Sequence, residues 1–468
     1  MANKPQRRPA CQVQLYRQRL AHSAGLPITN LLSASEVDDA LAAEGCTFRE
    51  RIFSPVITLW IFLGQVLDPD HSCRQALLRF VAWLSAHGRQ VCSSQSGAYC
   101  QARQRLAEGV MQRLVRSKAR QVQQDSPRAW RWFGRDVHIA DGTTVSAPDT
   151  LANQQAYPQP QSQQRGLGFP IVRVVVIFSL ALGTVLEAAF NPYVGKETGE
   201  TGMLRSLLYS LKRGTVLLGD RYFANYWIIA LAQVLGIDVV LRQHQRRKVD
   251  FRTGRRLGHN DHLITWTKPK RPKWMTQHFY DSLANTLTLR ELRVQVPKGK
   301  NRTRQLVVVT TLLEAGRYTK GELASLYQRR WQAELNLRSL KSTLQMDILR
   351  CKTPAMLRKE LWAHFLIYNL IRLAMAQAAQ NQPCLPWQLS FKGSAQALVA
   401  FGGFWPSVSV ADPAMHYRNM LQAIAEHPVG HRPGRVEPRA KKRRPRALPL
   451  LTEGREQARA RLRSTGPR

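Results

Sequence analysis

Three acidic residues stand where the hydrolysis of a phosphodiester would need them. Asp141 follows the apolar run Val137-His138-Ile139-Ala140, and Asp220 follows the run Thr215–Leu218 and Gly219. Each is expected at or near the end of a buried strand. Acidic residues are depleted from strands, so two in equivalent contexts point to a shared site, although either alone reads as a turn residue. The third is Glu334, within the spacing Tyr327-x2-Arg330-x3-Glu334-x6-Lys341. On one continuous helix, at about 100° per residue, these four and Arg338 fall on one narrow stripe. Two readings stay open for that stripe. It is a surface ladder, Arg330–Glu334–Arg338, worth a few tenths of a kcal/mol per pair. Or it is a metal-ligating carboxylate flanked by phosphate-binding cations, which accounts for positive charge that one Glu cannot balance. Two-metal cleavage needs carboxylates converging from separate elements: one ion activates the attacking oxygen, the other stabilises the leaving one. Mg²⁺ and similar hard cations select carboxylate oxygen.

The elements that must position these residues change character along the chain. Residues 1–130 read as helical and are expected to form an N-terminal DNA-binding domain. Segments at Cys73–Ser85 and Gly97–Leu106 form a candidate helix-turn-helix, the second carrying Gln101, Arg103, Gln104 and Arg105; an ordinary solvated helix face explains those side chains equally well. From residue 131 the pattern is β-β-β-α-β-α-β. Val172–Leu182 and Thr184–Phe190 meet at Gly183 as a hairpin, then come helix Gly202–Leu211, strand Thr215–Leu218, helix Tyr226–Leu235 and strand Ile237–Leu241. That order predicts a mixed α/β fold with a ribonuclease H-like catalytic core, 131–242 and 312–380. Residues 243–311, with strands at His262–Thr267, Leu287–Val296 and Gln305–Thr311, read as an inserted β subdomain with a basic rim at Lys268, Lys270, Arg271 and Lys273. Helices resume at Leu323–Leu344 and Met356–Gln380, with no Pro or Gly inside. A C-terminal helical region, 381–430, and a basic tail, 431–468, complete the chain. The tail carries Lys441-Lys442-Arg443-Arg444 and is expected to be a disordered arm.

Composition limits the partner. With 69 Lys+Arg against 31 Asp+Glu, the formal net charge is +38. A compact chain with that charge repels itself unless a polyanion neutralises it, and nucleic acid gains further from counterion release. An RNA binder of ribosomal type and a membrane-surface protein are the alternatives. The apolar stretches Ile52–Leu67 and Val172–Phe190 are broken by polar residues, Gly or Pro and read as buried elements, not membrane spans. The seven cysteines are odd in number, with no two spaced as Cys-x2-Cys, and read as reduced intracellular thiols.

The Tyr327, Arg330, Glu334 and Lys341 spacing resembles the Y-R-E-K signature of bacterial insertion-sequence transposases of the insertion sequence 4 family. Similar to the same family are Asp141-Gly142-Thr143-Thr144-Val145, Gly219-Asp220-Arg221-Tyr222-Phe223, Lys352-Thr353-Pro354, Arg443-Arg444-Pro445 and Pro449-Leu450-Leu451-Thr452. The likeness spans about residues 40–455. It implies that Asp141, Asp220 and Glu334 are the DDE ligands of Mg²⁺ or Mn²⁺, with two ions, and that Tyr327, Arg330 and Lys341 hold the transposon end through its phosphates. Arg338 joins that DNA-binding set from the stripe. A Trp in the insertion that stacks on a flipped base is also implied; Trp266 and Trp274 are the candidates. Trp331 is expected to pack in the core. The activity implied is cut-and-paste transposition of double-stranded DNA: cleavage at terminal inverted repeats, then strand transfer into target DNA. A homodimer would hold both ends in a synaptic complex, in the cytoplasm on the nucleoid, with no membrane partner. The rivals are a structure-selective nuclease on the same core and a non-catalytic DNA-binding regulator.

Overall fold

The structure, a computed structural model, describes residues 27–48, 51–86, 88, 91–195, 198–297, 303–380, 382–402, 412–429 and 450–464. Helices α1 (Pro55–Leu67), α2 (Cys73–Ala86), α3 (Gly97–Arg105) and α4 (Glu108–Asp125) precede the first strand. Then come β1 (Val137–Ser146), β2 (Ile171–Ser179), β3 (Val185–Pro192), α5 (Glu200–Leu208), β4 (Val216–Gly219), α6 (Tyr226–Val234) and β5 (Asp238–Arg242). Four more strands are β6 (Arg255–Gly258), β7 (Asp261–Thr267), β8 (Thr286–Pro297) and β9 (Thr303–Thr310). Helices α7 (Lys320–Gln328), α8 (Trp331–Arg338) and α9 (Pro354–Gln380) close the core.

Among the described residues the strands form one mixed sheet in the order β3-β2-β1-β4-β5-β9-β8-β7-β6. β1, β4 and β5 run parallel, while β2 pairs antiparallel with β1 and β3. The β2–β3 hairpin turns at Gly183, whose φ is +73°; a Cβ there would also run into the Arg372 guanidinium. Alternation along the strands feeds two cores. Val172, Val174, Val176 and Phe178 join α1, α4 and α9 on one face, and Val175 and Ile177 join α5 and α6 on the other. A sheet covered on both faces explains why these strands read as unbroken apolar runs.

The strands expected as an insertion, within 243–311, extend the core sheet: β9 pairs with β5 and carries β8, β7 and β6 along. α1 and α4 share one core with α9 and the sheet. Two expectations need correcting. α2 and α3 are separated by residues 87–96, far longer than a helix-turn-helix turn. Arg103 is buried in α3, donating to Gln65 Oε1 at 3.1 Å and lying over the Phe62 and Tyr99 rings, so it packs the helices together. Finally, the tail is helical at Arg455–Ser464, where Glu456 pairs with Arg459 at i,i+3; residues 430–449, with the Lys441–Arg444 run, lie outside the described residues.

The segment expected as one helix, Leu323–Leu344, is three pieces. α7 starts on a capping box, Thr319 with Glu322, and ends at Gln328. Arg329 and Arg330 form a turn, α8 comes next, and Ser339–Thr343 is a π-helical turn in which Leu344 N–H donates to Ser339 O. Neither break carries Pro or Gly. Trp331, expected to pack in the core, is 56% exposed.

Candidate active site

The three carboxylates come from three elements that meet at one end of the sheet. β1 continues past Asp141 to Ser146, so Asp141 is a mid-strand residue, not a strand end. Its pairing with β4 stops at Ile139↔Leu218, which leaves the β4-side edge open beyond that point. Asp220 directly follows β4 and occupies the same end. α8 packs on β1 and is fixed from behind by Arg372 of α9, whose Nη2 donates to the buried Asn336 Oδ1 at 2.6 Å. A cavity of about 420 Å³ results, lined by Asp141, Gly142, Asp220, Arg330, Glu334, Leu337, Arg338 and Lys341.

Arg330 links two of the acids. Its Nη2 donates to Glu334 Oε1 at 2.6 Å, and its Nη1 lies 3.8 Å from Asp141 Oδ2. The side chains of Arg330 and Asp141 are 17% and 19% exposed, so solvent screens this contact only in part. Burial raises the Asp141 carboxyl to about 6; Arg330 and the Gly142 N–H, which donates to Asp141 Oδ1 at 2.9 Å, oppose that rise, and the nearby Glu334 and Glu200 add to it. The surface-ladder reading is half right: Arg330 and Glu334 pair at i,i+4, but among the described residues Glu334 makes no ion pair with Arg338, and a plain ladder does not reach Asp141.

The remaining expected residues divide. Lys341, on the π turn, donates to Thr144 O at 3.0 Å and Thr143 Oγ1 at 3.3 Å, which ties that turn to β1. Arg338 is exposed at the cavity mouth. Tyr327 is buried beside Arg330, and burial pushes its phenol up. Of the two base-stacking candidates, Trp266 is buried and Trp274 is half-buried. Trp266 is buried under Arg247, with its indole donating to Glu291 Oε1, and Trp274 lies under Arg205 at 3.4 Å. Of the basic rim, Lys268 and Arg271 are spent on backbone carbonyls. Glu200 belongs to this neighbourhood without having stood out in the sequence. An acidic residue in the first turn of a helix reads as a partner of the helix dipole, and no local pattern separates that role from proximity to Asp141 and Asp220.

Among the described residues all six cysteines are free thiols, and no helix is long and apolar enough to cross a membrane.

A family model described as "Transposase DDE domain" matches residues 132–370, and the chain belongs to that family. It is a DNA transposase, an enzyme of the class that cleaves DNA and transfers strands. Its kinship is with the insertion sequence 4 transposases: it is 28% identical over 383 residues to "Transposase InsG for insertion sequence element IS4" of Escherichia coli (strain K12), covering 79% of this chain and 81% of that one. "Putative transposase InsZ" of the same organism is 26% identical over 127 residues, 27% of this chain and 42% of that one. Among solved structures, a piggyBac transposase synaptic complex with hairpin DNA is similar with a TM-score of 0.42 and 10% identity, covering 92% of this chain and 87% of that one.

Proposed function

We propose that the cavity is the catalytic centre of cut-and-paste transposition, with Asp141, Asp220 and Glu334 as its metal ligands on a ribonuclease H-like core. The observation that carries this reading is the convergence of three carboxylates and three cations, Arg330, Arg338 and Lys341, on one cavity from separate elements. Members of this family generally use divalent metals; two Mg²⁺ or Mn²⁺ ions are the finer reading. The residues fit such ions in donor type, since every acid on the cavity wall offers carboxylate oxygen. Among the described residues no three His, Cys, Asp or Glu side chains gather tightly enough to enclose one ion. The Arg330 guanidinium, beside both Asp141 and Glu334, already supplies positive charge between them. When bound, divalent ions would activate the attacking oxygen and stabilise the leaving one.

The chain's own side chains have distinct parts in this reading. Asp141 and Asp220 are held by the sheet and Glu334 by α8, so little reorganisation is left for the reaction itself. Neutralising Asp141 and Glu334 frees Arg330 to turn toward a DNA phosphate. Arg338 and Lys341 flank the same opening and would grip the backbone of a double-stranded transposon end. Tyr327, buried beneath, props Arg330 and does not meet DNA directly. Cleavage at two inverted repeats and insertion into target DNA call for two copies of the chain in one synaptic complex.

A strand-joining assay tests this. A DNA fragment with a pre-cut 3′-hydroxyl at the element's end, mixed with the protein, Mg²⁺ and a target plasmid, should give joined products. Cutting without any joining would support a nuclease instead, and end binding with neither would support a regulator.

A further inference from the structure

We propose that Cys73 and Cys100 are a dithiol that a hydroperoxide oxidises to a disulfide, with Cys100 as the attacking thiolate and Cys73 as the resolving thiol. Both are half-buried free thiols, open to a small oxidant. They come from different helices: Cys73 opens α2, and Cys100 stands in the first turn of α3. One guanidinium draws them together. Arg103 Nη2 donates to Cys73 Sγ at 3.3 Å and lies 3.9 Å from Cys100 Sγ. Arg103 is only 7% exposed; its Nη1 donates to Gln65 Oε1, and Gln65 Nε2 donates in turn to Cys73 Sγ at 3.6 Å. Among the described residues Arg103 forms no salt bridge with a carboxylate, and Glu360 reaches it only through space. A thiolate at Cys100 would balance that buried charge. The Cys73 thiol donates to Cys100 Sγ and Arg103 adds its charge, so Cys100 is held below the ordinary thiol range against the effect of burial, while Cys73 is raised. Cysteines that merely pack as small apolar groups behave differently. Burial pushes up the thiols of Cys351, Cys92 and Cys384, and packing does not explain a buried guanidinium turned toward two half-buried sulfurs.

The chemistry balances with one hydroperoxide per pair. The Cys100 thiolate attacks a peroxide oxygen, the O–O bond breaks, and the departing oxygen takes a proton and leaves as alcohol or water. Cys73 sulfur then attacks the Cys100 sulfenic acid, losing its proton; the S–S bond forms as the S–O bond breaks, and water leaves. Two electrons pass from the thiols to the peroxide, and a dithiol reductant reverses the step. The bond requires the sulfurs to close to about 2 Å. Cys73, as the terminal residue of α2, makes that approach without unwinding a helix.

The test is peptide mapping by mass spectrometry of the reduced full-length protein after brief exposure to hydrogen peroxide, with remaining thiols blocked by a maleimide. The wild-type map, which needs no substitution, should show a Cys73–Cys100 disulfide within one chain, reversed by dithiothreitol. Cys73→Ser should stop at a sulfenic acid on Cys100, trapped as its dimedone adduct. Cys100→Ser should give no disulfide and slow the oxidation of Cys73 about tenfold or more. Oxidation of Cys46, Cys92 or Cys384 ahead of Cys100 would overturn the proposal. So would a dimedone adduct on Cys73 in place of Cys100, or a disulfide formed only between chains.

Discussion

In the outer half of the sheet Arg290 grips Asp261 through two hydrogen bonds, Nε to Oδ1 at 2.8 Å and Nη2 to Oδ2 at 2.6 Å, and its Nη1 donates to Tyr318 O. At the cavity Arg330 has one short contact to Glu334 and a loose one, 3.8 Å, to Asp141. The first arginine is 1% exposed and fully satisfied; the second borders an open cavity with its donors unevenly used. A closed pair has nothing left to offer a ligand, and breaking it leaves a buried charge. An open, under-satisfied pair costs less to rearrange, which is what a site that exchanges ions and phosphates requires. One Arg–carboxylate pair is thus closed within the sheet, and the other stands open at the proposed site.

That contrast can be broken in several ways. Arg290→Met should lose about 3–5 kcal/mol of unfolding free energy in urea titrations, because Asp261 is left buried and unpaired; a loss under about 1 kcal/mol would make the two arginines alike. Buried groups without a partner should cost stability in acid. His138 in β1 has both ring nitrogens unpartnered, and burial lowers it to about 4, as burial also does for His364 in α9. Their folded values lie below the ordinary 6.5, so their stability contribution is full above pH 6.5 and is lost as pH falls toward 4. Each should cost about 2 kcal/mol at pH 5, and His138→Leu should remove its share of that slope in urea melts at pH 7 and 5. Arg330→Gln should change stability by about 1 kcal/mol or less while weakening binding to the element's ends. Lys341→Ala should weaken the same binding and lower its log–log salt slope by about 0.9; an unchanged slope would rule out a phosphate contact.

Local pattern carried much of this molecule. The β-branched run from Val172, the turn at Gly183 and the helix from Tyr226 stand within a few residues of where periodicity puts them. Glu334 was legible because a fixed spacing and a helical stripe agree on it. What stayed hidden is non-local. The pairing of β9 with β5, which joins the strands of the expected insertion to the core sheet, depends on partners far apart in sequence. The turn at Arg329–Arg330 has no Gly or Pro to announce it. Glu200 and Arg103 show the same limit from opposite sides. One looks like a helix-start carboxylate yet lies near enough to Asp141 and Asp220 for their charges to interact, and the other looks like a DNA contact yet is buried in packing.

Whether Asp141, Asp220 and Glu334 work as one metal-binding set is tested most directly by Mg²⁺-dependent strand cleavage. It should be measured alongside end binding, for Asp141→Asn, Asp220→Asn and Glu334→Gln on DNA carrying the element's ends. Each variant should lose cleavage about a thousandfold or more while largely keeping its grip on the ends. Robust cleavage by any one of the three would contradict the assignment.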